Sequence, residues 1–261
     1  MIMKMNNTVA IIQARMASMR LPGKILADLA GKPLLYHVVL RVKQAKTINK
    51  VIVATTDKPN DDETEKCCKK IGVDFFRGSE GDVLDRFYQA AKHFSANVVV
   101  RLTADCPLLD PVIIDQVVDV FQKGNYDYVS NVIEATYPDG LDTEVFSFET
   151  LERAWKEAAM KSEREHVTPF IRKSSNLFRL GNVKNDVDLS AMRWTVDEPA
   201  DLEFVRRVYA SFGSYTLFGM AEIVAMLHAH PEMQKINAAF ERNEGYRHSL
   251  REDNIIKEEI K

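Results

Sequence analysis

Cysteine is scarce in this chain: three in 261 residues, Cys67, Cys68 and Cys106. Two are adjacent, no pair has zinc-ligand spacing and the total is odd, so neither a disulfide framework nor a zinc cluster organises the fold. They read as small apolar fillers. Long hydrophobic runs are missing too: none approaches the ~18 residues a membrane helix needs. With no secretory signal pattern either, a cytoplasmic protein without a membrane partner is expected. Charge of one sign is nearly balanced, 35 Lys+Arg against 38 Asp+Glu for a net −3. That lacks the basic excess of bulk nucleic-acid binders, and no nucleic-acid partner is expected. A single nucleotide remains compatible, since a few well-placed cations suffice for it. Internal repeats and low-complexity linkers are likewise absent.

What is present is an apolar share of 46%, enough to fill a real core. The first half alternates β-branched runs with helical patterns. Strands are expected at Thr8 to Gln13, Val51 to Ala54, Val73 to Arg77, Asn97 to Leu102 and Asp127 to Asn131. Helices are expected at Pro33 to Lys46, Asp61 to Ile71, Asp82 to Phe94 and Pro111 to Lys123, with prolines suited to helix starts. Such alternation implies an α/β fold, a mostly parallel sheet with helices on both faces.

From about Pro138 the rhythm changes. Thr143 to Phe148, Leu177 to Gly181 and Met192 to Val196 read as strands. Thr150 to Met160, Glu163 to Lys173 and Pro199 to Phe212 read as helices. The stretch 138–190 is read as an insertion. The division expected is 1–213 as the main domain and 214–261 as a helical C-terminal appendage. That appendage holds helices at Leu217 to His228 and Pro231 to Arg242, then a charged tail from Glu252 to Lys261.

In parallel sheets, ligands bind beyond the carboxyl ends of the strands, and three polar segments fall there. The first is Ala14 to Lys24. A triphosphate needs backbone N–H groups and cations around it. Arg15, Arg20 and Lys24 supply the charge, and Ser18 and Gly23 let the backbone come close. Read alone, the segment is also a plausible basic surface turn. The second is Thr103-Ala104-Asp105-Cys106-Pro107, where Asp105 is either a Mg²⁺ ligand or a turn residue. The third is Trp194 to Glu203, where Asp197 is either a second Mg²⁺ ligand or a helix cap. Spacing alone does not bring the two aspartates together.

"IIQARMASMRLPGKIL" followed by "GKPLLYHVVLRV" resembles the opening of the CMP-sugar synthetases, the cytidylyltransferases acting on Kdo and sialic acids. "RGSEGDVLDRF", "RLTADCPLLDP", "RWTVDEPADLEFV" and "NEGYRHSLRED" resemble most the spore coat polysaccharide biosynthesis protein F group. The match runs in order over about residues 8–253. The resemblance implies a Rossmann-like mixed, mostly parallel sheet of the nucleotide-diphospho-sugar transferase type. It implies CTP and an acidic or phosphorylated sugar as partners, Mg²⁺ as cofactor and a homodimer. Arg15, Ser18 and Lys24 would contact the triphosphate, with Ala14 and Arg20 in the same loop. Arg15 and Lys24 would be the catalytic cations, and Asp105 and Asp197 would hold Mg²⁺. Arg77, Gly78, Asp82 and Arg86 would border the base. Two positions depart from the pattern: Ala17 and Met19 stand where such loops usually carry Gly and then Thr or Ser.

The insertion is the acceptor side. "YPDGLDTEVF" sets Asp139, Asp142 and Glu144 around Gly140, and "SEREHVTPFIR" adds Glu165, His166 and Arg172. Of these, Asp142, Glu144 and His166 are the candidate sugar contacts. The bland readings are an acidic turn and a satisfied polar helix face, with Glu165 or Arg172 equally suited to a dimer interface. The expected activity is transfer of CMP from CTP to an acidic sugar for surface polysaccharide biosynthesis, with pyrophosphate released. A glycosyltransferase of the same fold and a non-catalytic nucleotide-binding protein are the alternatives. CTP against UTP or GTP rests on the resemblance alone.

Overall fold

The computed structural model describes residues 7–254 apart from 214, 216 and 243. Asn243 and most of the charged tail therefore lie outside the described residues. The chain runs β1 (Thr8–Gln13), a small hairpin β2 and β3 (Asp28–Leu29, Lys32–Pro33), α1 (Leu34–Val42), β4 (Lys50–Thr56), α2 (Asp62–Ile71) and β5 (Asp74–Gly78). Next come α3 (Val83–His93), β6 (Val98–Thr103), α4 (Pro111–Lys123), β7 (Tyr128–Ser130), β8 (Glu144–Ser147) and α5 (Phe148–Glu157). The remainder is α6 (Lys161–His166), α7 (Pro169–Lys173), β9 (Leu180–Asn182), α8 (Pro199–Phe212), α9 (Met220–Ala229) and α10 (Glu244–Arg251).

Seven strands form one sheet in the order β5-β4-β1-β6-β8-β7-β9. The β5-β4-β1-β6 half is parallel, β8 is antiparallel to both β6 and β7, and β9 rejoins parallel to β7. This is the mixed, mostly parallel α/β sheet that the resemblance implied. Strand β1 lies at its centre and its Val9, Ala10, Ile11 and Ile12 are fully buried, which is why it reads as a continuous apolar run. Its residues alternate between two cores. Ala10 and Ile12 join α1, α4 and α8 on one face, while Val9 and Ile11 join α3 and α5 on the other.

Three sequence expectations change. Met192 to Val196 forms no strand: it makes only an isolated bridge, Asp139 with Arg193, and its N–H groups go to loops. Glu163 to Lys173 is two short helices, α6 and α7, because Val167 turns to φ +71 and Pro169 starts a new helix. Pro231 to Arg242 contains a short 3₁₀ turn at Pro231–Lys235. The segment after 213 packs on the body, with Phe218, Ile223, Leu227 and Met233 buried in the larger core. Among the described residues no helix is long and apolar enough to cross a membrane.

Candidate active site

The loop after β1 is built by three devices. Ala14 N–H still belongs to the sheet, donating to Ala54 O. Asp61, buried at the head of α2, then accepts from Met16 N–H at 2.9 Å, from Thr64 Oγ1 at 2.9 Å and from the Thr56 hydroxyl. Gly23 closes the loop by donating to Met16 O, at a φ of +71 that favours glycine. Ala17 is not among the residues with positive φ, so the loop needs no glycine there. Met19 is 97% exposed at the cavity mouth.

Lys24 runs inward from this loop and is buried. Its Nζ lies 2.7 Å from Asp105 Oδ2, 2.8 Å from Asp197 Oδ1 and 2.9 Å from Val196 O. The two aspartates thus meet, although their motifs lie far apart in the chain. Backbone contacts explain the meeting: Val196 N–H donates to Asp105 O, joining the loop after β6 to the segment before α8. Arg193 steadies the far side, with a two-pronged contact to Asp201 (2.9 and 3.0 Å) and 3.2 Å to Asp197 Oδ2. Arg20 adds a third cation, 3.1 Å from Asp197 and 3.3 Å from both Glu198 and Glu244.

These contacts set the charge states. Burial raises the Asp105 carboxyl, but the Lys24 charge and hydrogen bond outweigh it and bring it down to about 2. Burial likewise opposes the charge on Lys24, and the two aspartates overturn it and raise its pKa. Asp105 is therefore an anion, and the Lys24 ammonium is its internal counter-ion.

The Lys24 cluster is one wall of a cavity of about 1040 Å³, which Arg15, Ser18, Asp142, Glu144 and His166 also line. The opposite wall comes from the insertion. Gly140 turns at φ +112 against the Trp194 and Thr195 backbone, where a Cβ would sit 2.6 Å from Trp194 C. That close approach brings Asp139 and Asp142 towards Asp197. Burial and then Asp142 push the Asp139 carboxyl up to about 7, against Arg242 and Arg193. Asp142 is also raised by burial, and its partner is the Arg242 guanidinium.

A model of the cytidylyltransferase family matches residues 9–217. The chain belongs to that family. Spore coat polysaccharide biosynthesis protein SpsF of Bacillus subtilis is 35% identical to it, over 87% of this chain and 97% of that protein. A cytidylyltransferase structure from Leptospira borgpetersenii serovar Hardjo-bovis matches at TM-score 0.83 and 33% identity, covering 87% of this chain and 96% of its own. A CMP:2-keto-3-deoxy-manno-octonic acid synthetase solved with CTP shares the fold at TM-score 0.62 and 20% identity, over 79% of this chain and 99% of its own. The protein is a nucleotidyltransferase with cytidylyltransferase activity.

Not every residue expected at the site of this cytidylyltransferase lines the cavity. Arg77 pairs with Asp62 (2.7 Å) and Glu65 (2.8 Å) on α2 and donates to Thr56 O and Lys58 O. Asp82 caps α3 through Asp85 N–H and pairs with Arg164 of α6 at 2.6 Å. Gly78 O accepts from Asp57 N–H. Arg86 is fully buried, and burial brings its pKa down to about 10. It donates to Ser79 O at 2.6 Å and so holds the turn whose Glu80 and Gly81 reach the cavity. None of these four residues lines the cavity, and only Arg86 braces a turn that does.

Glu144 lines the cavity but is already engaged. It accepts from the Thr168 hydroxyl at 2.6 Å and from Tyr128, and pairs with Arg101. Burial raises it, and Arg101 and Arg172 reverse that and leave it lowered. Sequence reasoning passed over Asp61, Arg101 and Arg193. The "RWTVDEP" motif contained Arg193, but its partner Asp201 identifies it only through the α8 geometry.

Proposed function

We propose that this cytidylyltransferase transfers CMP from CTP to an acidic, ulosonic-type sugar with Mg²⁺ as cofactor, releasing pyrophosphate for surface polysaccharide biosynthesis. The observation that carries this reading is the convergence of Asp105 and Asp197 on Lys24 beneath a loop carrying Arg15 and Arg20. Among the described residues no group of three or more His, Cys, Asp or Glu could cage a metal. Two carboxylates are the donor set expected for Mg²⁺, which keeps waters and takes its remaining ligands from substrate phosphates. Asp105 and Asp197 would hold it, and bound there it would polarise the α-phosphate and neutralise developing charge.

The rest of the chemistry belongs to the chain. The acceptor hydroxyl attacks the α-phosphorus in line, and pyrophosphate leaves on the opposite side. Arg15 makes no ion pair among the described residues, so its guanidinium is available to the β- and γ-phosphates. Lys24 exchanges carboxylate for phosphate oxygen and stabilises the leaving group as charge accumulates. The loop held by Asp61 keeps these donors in place, so catalysis is positioning and charge neutralisation.

An acidic sugar is supported by Arg172, a cavity-lining cation of the insertion without an ion pair among the described residues, and by the octonic acid named for the CTP-bound neighbour. The likeness to SpsF, a spore coat polysaccharide biosynthesis protein, supports the polysaccharide setting. The deciding experiment is pyrophosphate release with CTP, Mg²⁺ and a panel of 3-deoxy-2-ulosonic acids. Release with phosphorylated neutral sugars alone would replace the acceptor. We also take the protein to be a homodimer, which light scattering at working concentration tests.

A further inference from the structure

Helix α10 lies beyond residue 217, where the family match ends. Even so, Glu244, Tyr246 and Ser249 line the same cavity as Lys24. The helix is fastened at both ends. At its start Glu244 meets Arg20 of the β1 loop at 3.3 Å. Beyond its end Asp253 accepts from Ser162 N–H at 2.9 Å and Ser162 Oγ at 2.8 Å, and Lys161 N–H donates to Asn254 O. The helix is therefore a fixed wall set against α6.

Between those anchors α10 touches two insertion residues. Ser249 Oγ donates to Glu165 Oε2 at 3.0 Å and lies 2.9 Å from His166 Nε2. With the hydroxyl proton spent on the carboxylate, Nε2 is the donor to Ser249. Burial, with Arg101, Arg172 and Arg15 nearby, outweighs Glu165 and lowers His166 to about 4, so the ring is neutral near pH 7. A neutral imidazole with its proton on Nε2 leaves Nδ1 as an acceptor. Tyr246 packs edge-on against the same ring, with centroids 5.0 Å apart. The Arg172 guanidinium lies 5.8 Å over the Tyr246 ring. Arg172 makes no ion pair among the described residues, and its Nε has no hydrogen-bond partner. It is a cation on the cavity wall with donors to spare, and a planar fork suits a carboxylate.

We propose that α10 builds the acceptor subsite: Tyr246 and Ser249 are positioning residues that present Arg172 to the carboxylate of a 2-ulosonic acid and His166 Nδ1 to one of its hydroxyls. Acceptor selectivity then resides partly in a C-terminal helix beyond residue 217, where the family model's match ends. The proposal rests on the acidic-sugar reading above.

The test separates the two. Tyr246→Ala and Ser249→Ala are assayed for pyrophosphate release with CTP and 3-deoxy-manno-octulosonate, or whichever panel member the unaltered protein uses best. Each substitution is expected to raise the acceptor KM ~10-fold, the scale of one lost aromatic or cation–π contact for Tyr246 and of one lost hydrogen bond for Ser249. The KM for CTP should stay within about twofold, which also reports that the variant is folded. Tyr246→Phe, which keeps the ring, should restore the acceptor KM. If acceptor KM is unchanged, or rises in step with CTP KM, the subsite assignment falls and the function stands. If the unaltered protein uses no ulosonic acid, both fall.

Discussion

Lys24→Met tests the charge logic of the site most directly. The substitution keeps much of the apolar stem and deletes an ammonium bonded to two carboxylates at 2.7 and 2.8 Å. At an effective dielectric near 20, two such contacts have a gross attraction of ~12 kcal/mol, most of it offset by desolvating the ammonium. Breaking a buried pair from one side costs roughly 3–5 kcal/mol. Here the Asp105 and Asp197 side chains keep 25% and 22% of their exposure, so water takes up part of the loss and about 2 kcal/mol is the working figure. The free variant should be less stable by that amount in urea unfolding. The same energy opposes any divalent cation entering the unaltered site, because the cation must first dislodge Lys24. Without nucleotide, Lys24→Met should therefore bind Mn²⁺ or Mg²⁺ ~30-fold more tightly, 2 kcal/mol at 1.4 kcal/mol per decade. Titration followed by Mn²⁺ electron paramagnetic resonance reads this without turnover. Equal affinity in the two proteins would refute the idea that Lys24 holds the metal position until phosphates draw it away.

Asp105→Asn should lower kcat on the order of 10² to 10³ with the fold intact, the usual cost of one lost electrostatic contact in the transition state; full pyrophosphate release would remove Asp105 from the chemistry. Asp61→Ala strands Met16 N–H and two hydroxyls, so a stability loss of roughly 2–3 kcal/mol is expected, together with a raised KM for CTP. An unchanged KM would mean the loop does not depend on that anchor. His166 has a folded pKa of about 4, below the ordinary 6.5, so the unfolded chain takes the proton first as pH falls. Its contribution to stability is complete above pH 6.5, declines between 6.5 and 4 by at most about 3 kcal/mol, and is flat below. Asp139, raised to about 7, acts in the opposite direction, stabilising less as pH rises from 3.8 to 7. The difference between unaltered protein and His166→Asn isolates the histidine, and parallel pH profiles would contradict its burial as a neutral ring.

The frame was legible where local and global preferences agree. β1 matches its sequence span end to end because its apolar residues serve both sheet faces. α4 and α8 also match, each opened by a proline at its first turn and followed by glycine. What escaped was set by distant contacts. Met192 to Val196 has strand composition, but Asp139 O and Asp105 O take its N–H groups, and no local pattern encodes those acceptors. The break at Val167 needs a left-handed residue that sequence does not mark at a valine. α10 carries few apolar residues, so periodicity gave no stripe to find; its order comes from Arg20, Ser162 and His166 on other elements.

The same distinction holds inside the site. Residue types named the cations and carboxylates, because triphosphate and metal chemistry admits few others. They did not say which charges were already spent. Glu144 and Arg77 have the chemistry of ligands and the contacts of braces, whereas Arg15 and Arg172 are cavity-lining arginines without ion pairs among the described residues. Lys24 stands between these classes. Its partners are the carboxylates proposed to hold the metal, so that pairing would have to be undone for a metal to bind between them. A lysine already seated between the two carboxylates gives a second cation little reason to enter alone, and the nucleotide's phosphates would supply both further ligands and a new partner for the lysine. On that logic Lys24→Met is the variant in which a divalent cation would bind ahead of CTP.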